Sequence, residues 1–178
     1  MIFTSHFITL DGVVASPEQW HPAFNSPDSM AVLIGQMERA DGMLVGRRTF
    51  DEFASWWPEQ GDDVLGAKET NAMQKYVVSA TRDDVSWGPT EILPGGAAAA
   101  AHEIARRDLT VMLPGSVQLT RALVSAGLVD EMQFYLDPLI LGDGLRLFEQ
   151  DHGQSRRELD GVTTLPNGML HLVYRASR

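Results

Sequence analysis

The apolar run Met43-Leu44-Val45 breaks at Gly46 and passes at once into Arg47-Arg48-Thr49-Phe50-Asp51, a stretch of helical character. This strand–turn–helix junction constrains the fold more than any other segment, because the same grammar recurs along the chain. Lys75-Tyr76-Val77-Val78-Ser79 is a β-branched run closed by Ala80-Thr81-Arg82-Asp83. Glu91-Ile92-Leu93 is a brief strand ended by Pro94-Gly95-Gly96, and residues 97–107 form a helix on alanine propensity. Residues 109–113 read as a buried strand, followed by Pro114-Gly115-Ser116 and a helix over 117–126. Residues 2–10 form a strand ending at Asp11-Gly12; both parities carry apolar residues, so it is a central strand covered on two faces.

Ser26-Pro27-Asp28 opens a helix as cap, first-turn proline and dipole-compatible acid. Its buried stripe is Met30, Leu33, Ile34 and Met37, and Asp41-Gly42 ends it. Residues 62–72 form a further helical segment. Residues 131–136 alternate apolar and polar, as a half-buried strand does, and 156–165 with 169–175 form a last hairpin turned at Pro166-Asn167-Gly168. Strands and helices alternate and an antiparallel tail follows. The fold class is therefore α/β, with a central mixed, mostly parallel sheet, an antiparallel C-terminal hairpin and helices on both faces. At 178 residues, 44% of them hydrophobic, the expectation is one domain over 1–178.

A net charge of −10 argues against nucleic acid as a partner, since phosphate backbones demand a basic face. The absence of cysteine removes disulfides, thiolate metal sites and a thiol nucleophile, and fits a reducing cytoplasm. The start, Met1 to Phe7, has no basic region before a long apolar run, so no signal peptide is expected. No stretch approaches the roughly 18 apolar residues of a membrane span. The five histidines, His6, His21, His102, His152 and His171, lack metal-ligand spacing, and no metal is expected.

In open α/β sheets ligands bind beyond the carboxyl ends of the strands. Those ends are small, polar or basic: Asp11-Gly12, Gly46-Arg47-Arg48-Thr49, Ser79-Ala80-Thr81-Arg82 and Pro114-Gly115-Ser116. Gly46 lets backbone approach a ligand, Arg47 and Arg48 offer planar forks suited to phosphate, and Thr49 is placed to cap the next helix. Gly115-Ser116 opens a helix with unpaired N–H groups, while Ser79, Thr81 and Arg82 add hydroxyls and a cation. Each turn taken singly also reads as punctuation, each arginine as a solvated charge and Thr81 as a cap. The Gly-x-Gly-x-x-Gly fingerprint and the Gly-x-x-x-x-Gly-Lys loop are both absent.

Together these segments resemble the dihydrofolate reductase-like superfamily, in the branch similar to the reductase domain of the bacterial riboflavin-biosynthesis deaminase/reductase. The matching pieces are Thr9-Leu10-Asp11-Gly12, Leu44-Val45-Gly46-Arg47-Arg48-Thr49-Phe50, Tyr76-Val77-Val78-Ser79-Ala80-Thr81 and Pro114-Gly115-Ser116-Val117-Gln118-Leu119. They continue through Ala126-Gly127-Leu128-Val129-Asp130-Glu131 and Pro138-Leu139-Ile140-Leu141-Gly142-Asp143-Gly144 to Leu147-Phe148. The resemblance implies a three-layer sandwich and a cytoplasmic bacterial NADPH-dependent reductase, similar to 5-amino-6-(5-phosphoribosylamino)uracil reductases. Its small-molecule substrate would be a pterin- or pyrimidine-like heterocycle or a carbonyl compound. Cofactor contacts carried over are Gly46, Arg47, Arg48, Thr49, Ser79, Thr81, Arg82, Gly115, Ser116 and Leu119. One departure is Ser116, where the family often has a second glycine.

Hydride transfer needs one group to protonate the acceptor. Asp11 is the first candidate, with a turn residue as its alternative reading; Asp28 is the second, with a helix-dipole charge as its alternative. Trp20, Phe24 and Trp57 are candidates to stack on a planar substrate, although Trp56 and Trp57 also suit the packing of a helix end. His21 lies in the proline-rich loop over 13–27 without further support. A homodimer through the late strands is implied, consistent with apolar alternation at Met132, Phe134 and Leu136. The rival reading is a non-catalytic protein that keeps the fold to bind a nucleotide-like ligand or a partner.

Overall fold

Alternate residues of the short apolar strands face opposite layers, and this is what builds the molecule. Leu44 of the second strand packs with Leu113, Ile104 and Leu123 on one side of the sheet, while its neighbours Met43 and Val45 pack with Phe50 and Trp87 on the other. The structure, a computed structural model, describes residues 1–61, 63–82, 85–148 and 153–177. Its strands are β1 (Ile2–Thr9), β2 (Gly42–Gly46), β3 (Lys75–Val78), β4 (Thr90–Leu93), β5 (Val111–Pro114), β6 (Glu131–Asp137), β7 (Arg157–Thr164) and β8 (Leu170–Ala176). Its α-helices are α1 (Pro27–Glu38), α2 (Arg47–Trp56), α3 (Ala67–Ala72), α4 (Gly96–Arg106) and α5 (Val117–Ser125).

The strands form one open eight-stranded sheet in the order β4-β3-β2-β5-β1-β6-β8-β7. β1 to β6 all run parallel, and β8 and β7 close the edge antiparallel. This is the mixed, mostly parallel sheet with a C-terminal hairpin that the alternation implied. β1 lies between β5 and β6, central as its two apolar parities required. α4 and α5 cover one face and α1 and α2 the other.

Several local expectations are corrected. α2 starts at Arg47 with Gly46 as its cap residue, so Thr49 is inside the first turn and does not cap it. Residues 62–72 are not helical throughout: the helix is confined to Ala67–Ala72, entered through Gly66 at φ 83°, and Asp62 lies outside the described residues. β5 begins two residues later than expected, because the Leu109 N–H still pairs with Ile104 at the end of α4 and the Thr110 N–H is taken by Asp41. β6 is not half-buried in the expected sense. Its polar parity, Glu131, Gln133 and Asp137, is buried as well. Glu131 and Gln133 are satisfied within one network: Ser5 donates to Gln36, Gln36 to Gln133, and Gln133 and Arg39 to Glu131. Such closure lets polar groups stand in a core without the few kcal/mol an unpaired one would cost.

Candidate functional site

Six parallel strands place their carboxyl ends along one edge. Three helices begin there, α2 after β2, α4 after β4 and α5 after β5, and none is capped by a side chain. Each helix start leaves several backbone N–H groups without an intrahelical acceptor and carries the positive end of the helix dipole. Such starts are favourable surroundings for an anion.

Gly115 (φ 53°) and Ser116 (φ 47°) make the turn into α5. A Cβ at Gly115 would come within 3.4 Å of the Thr49 methyl, so the two turns approach closely. They are also stitched together. Gly46 N–H donates to Ser116 Oγ at 3.0 Å, and Ser116 N–H donates to Thr49 Oγ1 at 3.1 Å. Thr49 therefore braces α5 where capping of its own helix was expected, and Ser116 uses its acceptor lone pair on Gly46 while keeping its hydroxyl hydrogen. Leu119 sits beneath, in the apolar cluster under α5, as packing for the turn.

Arg47 and Arg48 are exposed at the first two positions of α2, and among the described residues neither has an ion pair or hydrogen bond. Two cations at the positive end of a helix dipole run against local electrostatics by about 0.3–1 kcal/mol each. Arg82 differs from them: it is ion-paired with Asp51 of α2 and lies 5.2 Å over the Phe50 ring. Ser79 is buried at the end of β3, its Oγ accepting from the N–H groups of Thr81 and Arg82 at 3.3 and 3.1 Å. Thr81 is exposed on that turn. The structure thus gathers Gly46, Arg47, Arg48, Thr49, Gly115 and Ser116, with Ser79, Thr81 and Arg82 tied on through Asp51. Gly95 and Gly96, at φ 89° and 82°, open α4 on the same edge. They read in the sequence as a strand terminator; the double glycine before an alanine helix was the signal for a further helix-start donor set.

The other half of the edge, at β1 and β6, is arranged differently. Asp11 accepts from Thr9 Oγ1 at 2.6 Å and from the N–H groups of Leu141 and Gly142 at 3.3 and 2.9 Å. The Thr9 hydroxyl above all, and those backbone donors with it, hold the Asp11 carboxyl down at about 2. At neutral pH it is an ionised clamp that fastens the 138–146 loop to the end of β1, and it holds no proton to give. Asp28 is exposed in the first turn of α1. Trp20 is buried with Nε1–H on the Ala15 carbonyl at 2.9 Å, and Phe24 packs towards Tyr135, Leu165 and Met169. Trp57 is not brought near them: it packs with Phe53 and Trp56 at the far end of α2, about 15 Å of helix from Gly46.

What sequence reasoning left without support is His21. Its Nδ1 lies 2.8 Å from Asp137 Oδ2, at the last residue of β6, with side chains 5% and 0% exposed. Phe7 of β1 stacks on the imidazole at 3.6 Å between centroids, and Trp20 meets it edge-on. The partners lie 116 residues apart, a separation across which no spacing motif operates.

The fold and this edge define an open α/β protein with a dihydrofolate reductase-like sheet and a row of helix starts without side-chain caps. The chain belongs to the RibD C-terminal domain family, which it matches over residues 1–171. It is similar to a putative riboflavin biosynthesis protein from Shewanella sp. PV-4, with a TM-score of 0.81, 19% identity and 99% of each chain covered. It also resembles a pyrimidine reductase-like protein from Corynebacterium diphtheriae, with a TM-score of 0.72, 16% identity, and 99% and 92% coverage of this chain and that one. Among curated sequences it is 22% identical to the uncharacterized protein YyaP of Bacillus subtilis over 142 residues, 78% of this chain and 75% of that protein.

Proposed function

We propose that the chain is an NADPH-dependent reductase of a small heterocyclic, pterin- or pyrimidine-like, or carbonyl substrate. One observation carries this reading: Arg47 and Arg48 stand without a partner among the described residues at an uncapped helix start, on a chain of net charge −10. Membership of a reductase-like family and likeness to a pyrimidine reductase-like protein point the same way. NADPH, when bound, supplies the hydride. Gly115, Ser116 and the start of α5 would receive its pyrophosphate, and the start of α4 stands on the same edge. Arg47, Arg48 and the Ser79–Arg82 turn would receive its adenosine-side phosphates. The nicotinamide would then lie toward β1 and β6, beside the 13–27 loop with Trp20 and Phe24, which would border the substrate.

A second copy of the chain fits the late strands. Phe134, Tyr174 and Met132 line a groove there, and Leu159 and Val162 of β7 are more than half exposed. We read this as the homodimer surface, and sedimentation mass checks it: a strict monomer contradicts it. The function itself is tested by titrating NADPH against its own fluorescence, then following its oxidation with pterins, flavin precursors and quinones. Binding with turnover of one class is expected. No binding at high micromolar concentration refutes the reading, and binding without turnover across the panel favours a non-catalytic ligand-binding protein.

A further inference from the structure

Asp11 holds no proton at neutral pH, so a reductase built on this edge needs another acid, and the buried pair His21–Asp137 has the required form. Asp137 ends β6 and faces Thr9, the last residue of β1, in the strand register. That places it on the same carboxyl edge as the Gly115-Ser116 turn, two strands away or about 10 Å across the sheet and further on along the strand direction. Its Oδ2 engages His21 Nδ1, and its Oδ1 is buried without a hydrogen-bond partner among the described residues. A carboxylate with one oxygen on an imidazole and the other unanswered concentrates its charge on that imidazole. Phe7 fixes the ring plane by stacking and Trp20 closes one edge. With Nδ1 committed to Asp137, Nε2 is the nitrogen left, and it makes no hydrogen bond among the described residues.

We propose that His21, oriented and charge-stabilised by Asp137, is the acid that protonates the substrate; this rests on the reductase reading above. The carbon of a C=N or C=O group gains the hydride and the π pair moves to the heteroatom. That heteroatom takes the proton from His21 Nε2, and the neutral imidazole regains one from water. Reduced substrate and oxidised cofactor are the products. Asp137 is a positioning residue that acts through His21. The titratable groups facing the ring are Asp137 from β6 and, one ring further on beyond Phe7, Tyr135; Phe7 and Trp20 carry none.

Two substitutions separate chemistry from mere fastening. In His21→Asn the amide nitrogen stands where Nδ1 was, so the bond to Asp137 and the anchoring of the loop are kept while the Nε2 proton is lost. Expected are a kcat lower by on the order of a hundredfold and NADPH binding within twofold of wild type. In Asp137→Asn the ring loses the carboxylate that orients it, so kcat is expected to fall about tenfold or more while KM and NADPH affinity stay within twofold of wild type. Wild-type kcat in His21→Asn, or a loss in Asp137→Asn that falls on KM and leaves kcat unchanged, overturns the proposal. Imidazole ¹⁵N NMR, with His21 assigned by its loss in His21→Asn, reads the dyad without turnover. An Nδ1 signal marked by its bond to the Asp137 carboxylate, and changed in Asp137→Asn, is expected. An Nδ1 signal that is the same in both proteins overturns the inference, whereas failure of the wild type to bind NADPH overturns the reductase reading itself.

Discussion

Replacing both Arg47 and Arg48 with alanine is expected to move stability and affinity in opposite directions. The arginines occupy the first two positions of α2, where the dipole is positive, and among the described residues nothing compensates them. Each costs about 0.3–1 kcal/mol there, and alanine matches arginine in helix propensity. The free double variant is therefore expected to be more stable by about 1 kcal/mol, or roughly 2–4 °C in Tm for a domain of this size. Against a bound phosphate, a charge-assisted hydrogen bond contributes about 1.5–3 kcal/mol. Both side chains are exposed, which sets them at the lower end. Losing about 3 kcal/mol in all corresponds to roughly a hundredfold weaker NADPH. NADH lacks the 2′-phosphate and is expected to weaken severalfold at most. Fluorescence titrations of both cofactors and thermal melts of the free protein measure all of this. Equal losses for NADPH and NADH, or a lower Tm, would refute the assignment of these arginines to the cofactor phosphate.

Ser116 combines an uncommon left-handed backbone with a hydroxyl that accepts the Gly46 N–H, so Ser116→Ala keeps the strain and loses the bond. Urea melts are expected to place Ser116→Ala about 1 kcal/mol below wild type, with Ser116→Gly near wild type because it loses both. Lys75 is fully buried over Trp87, and burial lowers its ammonium to about 8. The unfolded chain then binds more protons than the folded one between pH 8 and the ordinary value of 10.5, so stability rises with pH across that window. Lys75→Met should abolish that rise in denaturant melts taken along a pH series. Asp11 has its carboxyl lowered, so its stabilising bonds are present above the ordinary value of 3.8 and lost as pH falls toward about 2. Asp11→Asn should remove that acid-side dependence and speed amide exchange at Leu141 and Gly142, and unchanged exchange would count against the clamp.

The fold was legible because it is written in local units. Each of Met43–Val45, Lys75–Val78 and Val111–Leu113 is a short apolar run followed by a turn, and the double parity of Ile2–Thr9 marks a central strand. What misled was local chemistry settled by distant partners. Thr49 has the composition of a cap, yet its hydroxyl answers the N–H of Ser116, 67 residues away. The alternation in β6 suggests a solvated polar face, but Gln36 of α1 and Arg39 just after it arrive to satisfy Gln133 and Glu131. A period-two pattern reports which residues share a face; it does not report whether polar partners cover it.

The candidate site divides along the same line. Its phosphate half rests on helix starts, and a helix start is a sequence-local object, so Gly46-Arg47-Arg48 and Gly115-Ser116 could be read as anion turns from their neighbours alone. Its chemical half rests on contacts between the 13–27 loop and the ends of β1 and β6. Asp11 had the right place for an acid, but an acid needs a proton to spare. Its burden of Thr9, Leu141 and Gly142 donors, two of them from a loop 130 residues onward, removes it. His21 had the right chemistry and no visible partner, because Asp137 sits before a proline at the end of a strand that otherwise reads as core. Asp137, by contrast, meets an imidazole on one oxygen and no hydrogen-bond donor among the described residues on the other. The part each carboxylate on this edge can play is thus decided by the tertiary hydrogen-bond partners it meets.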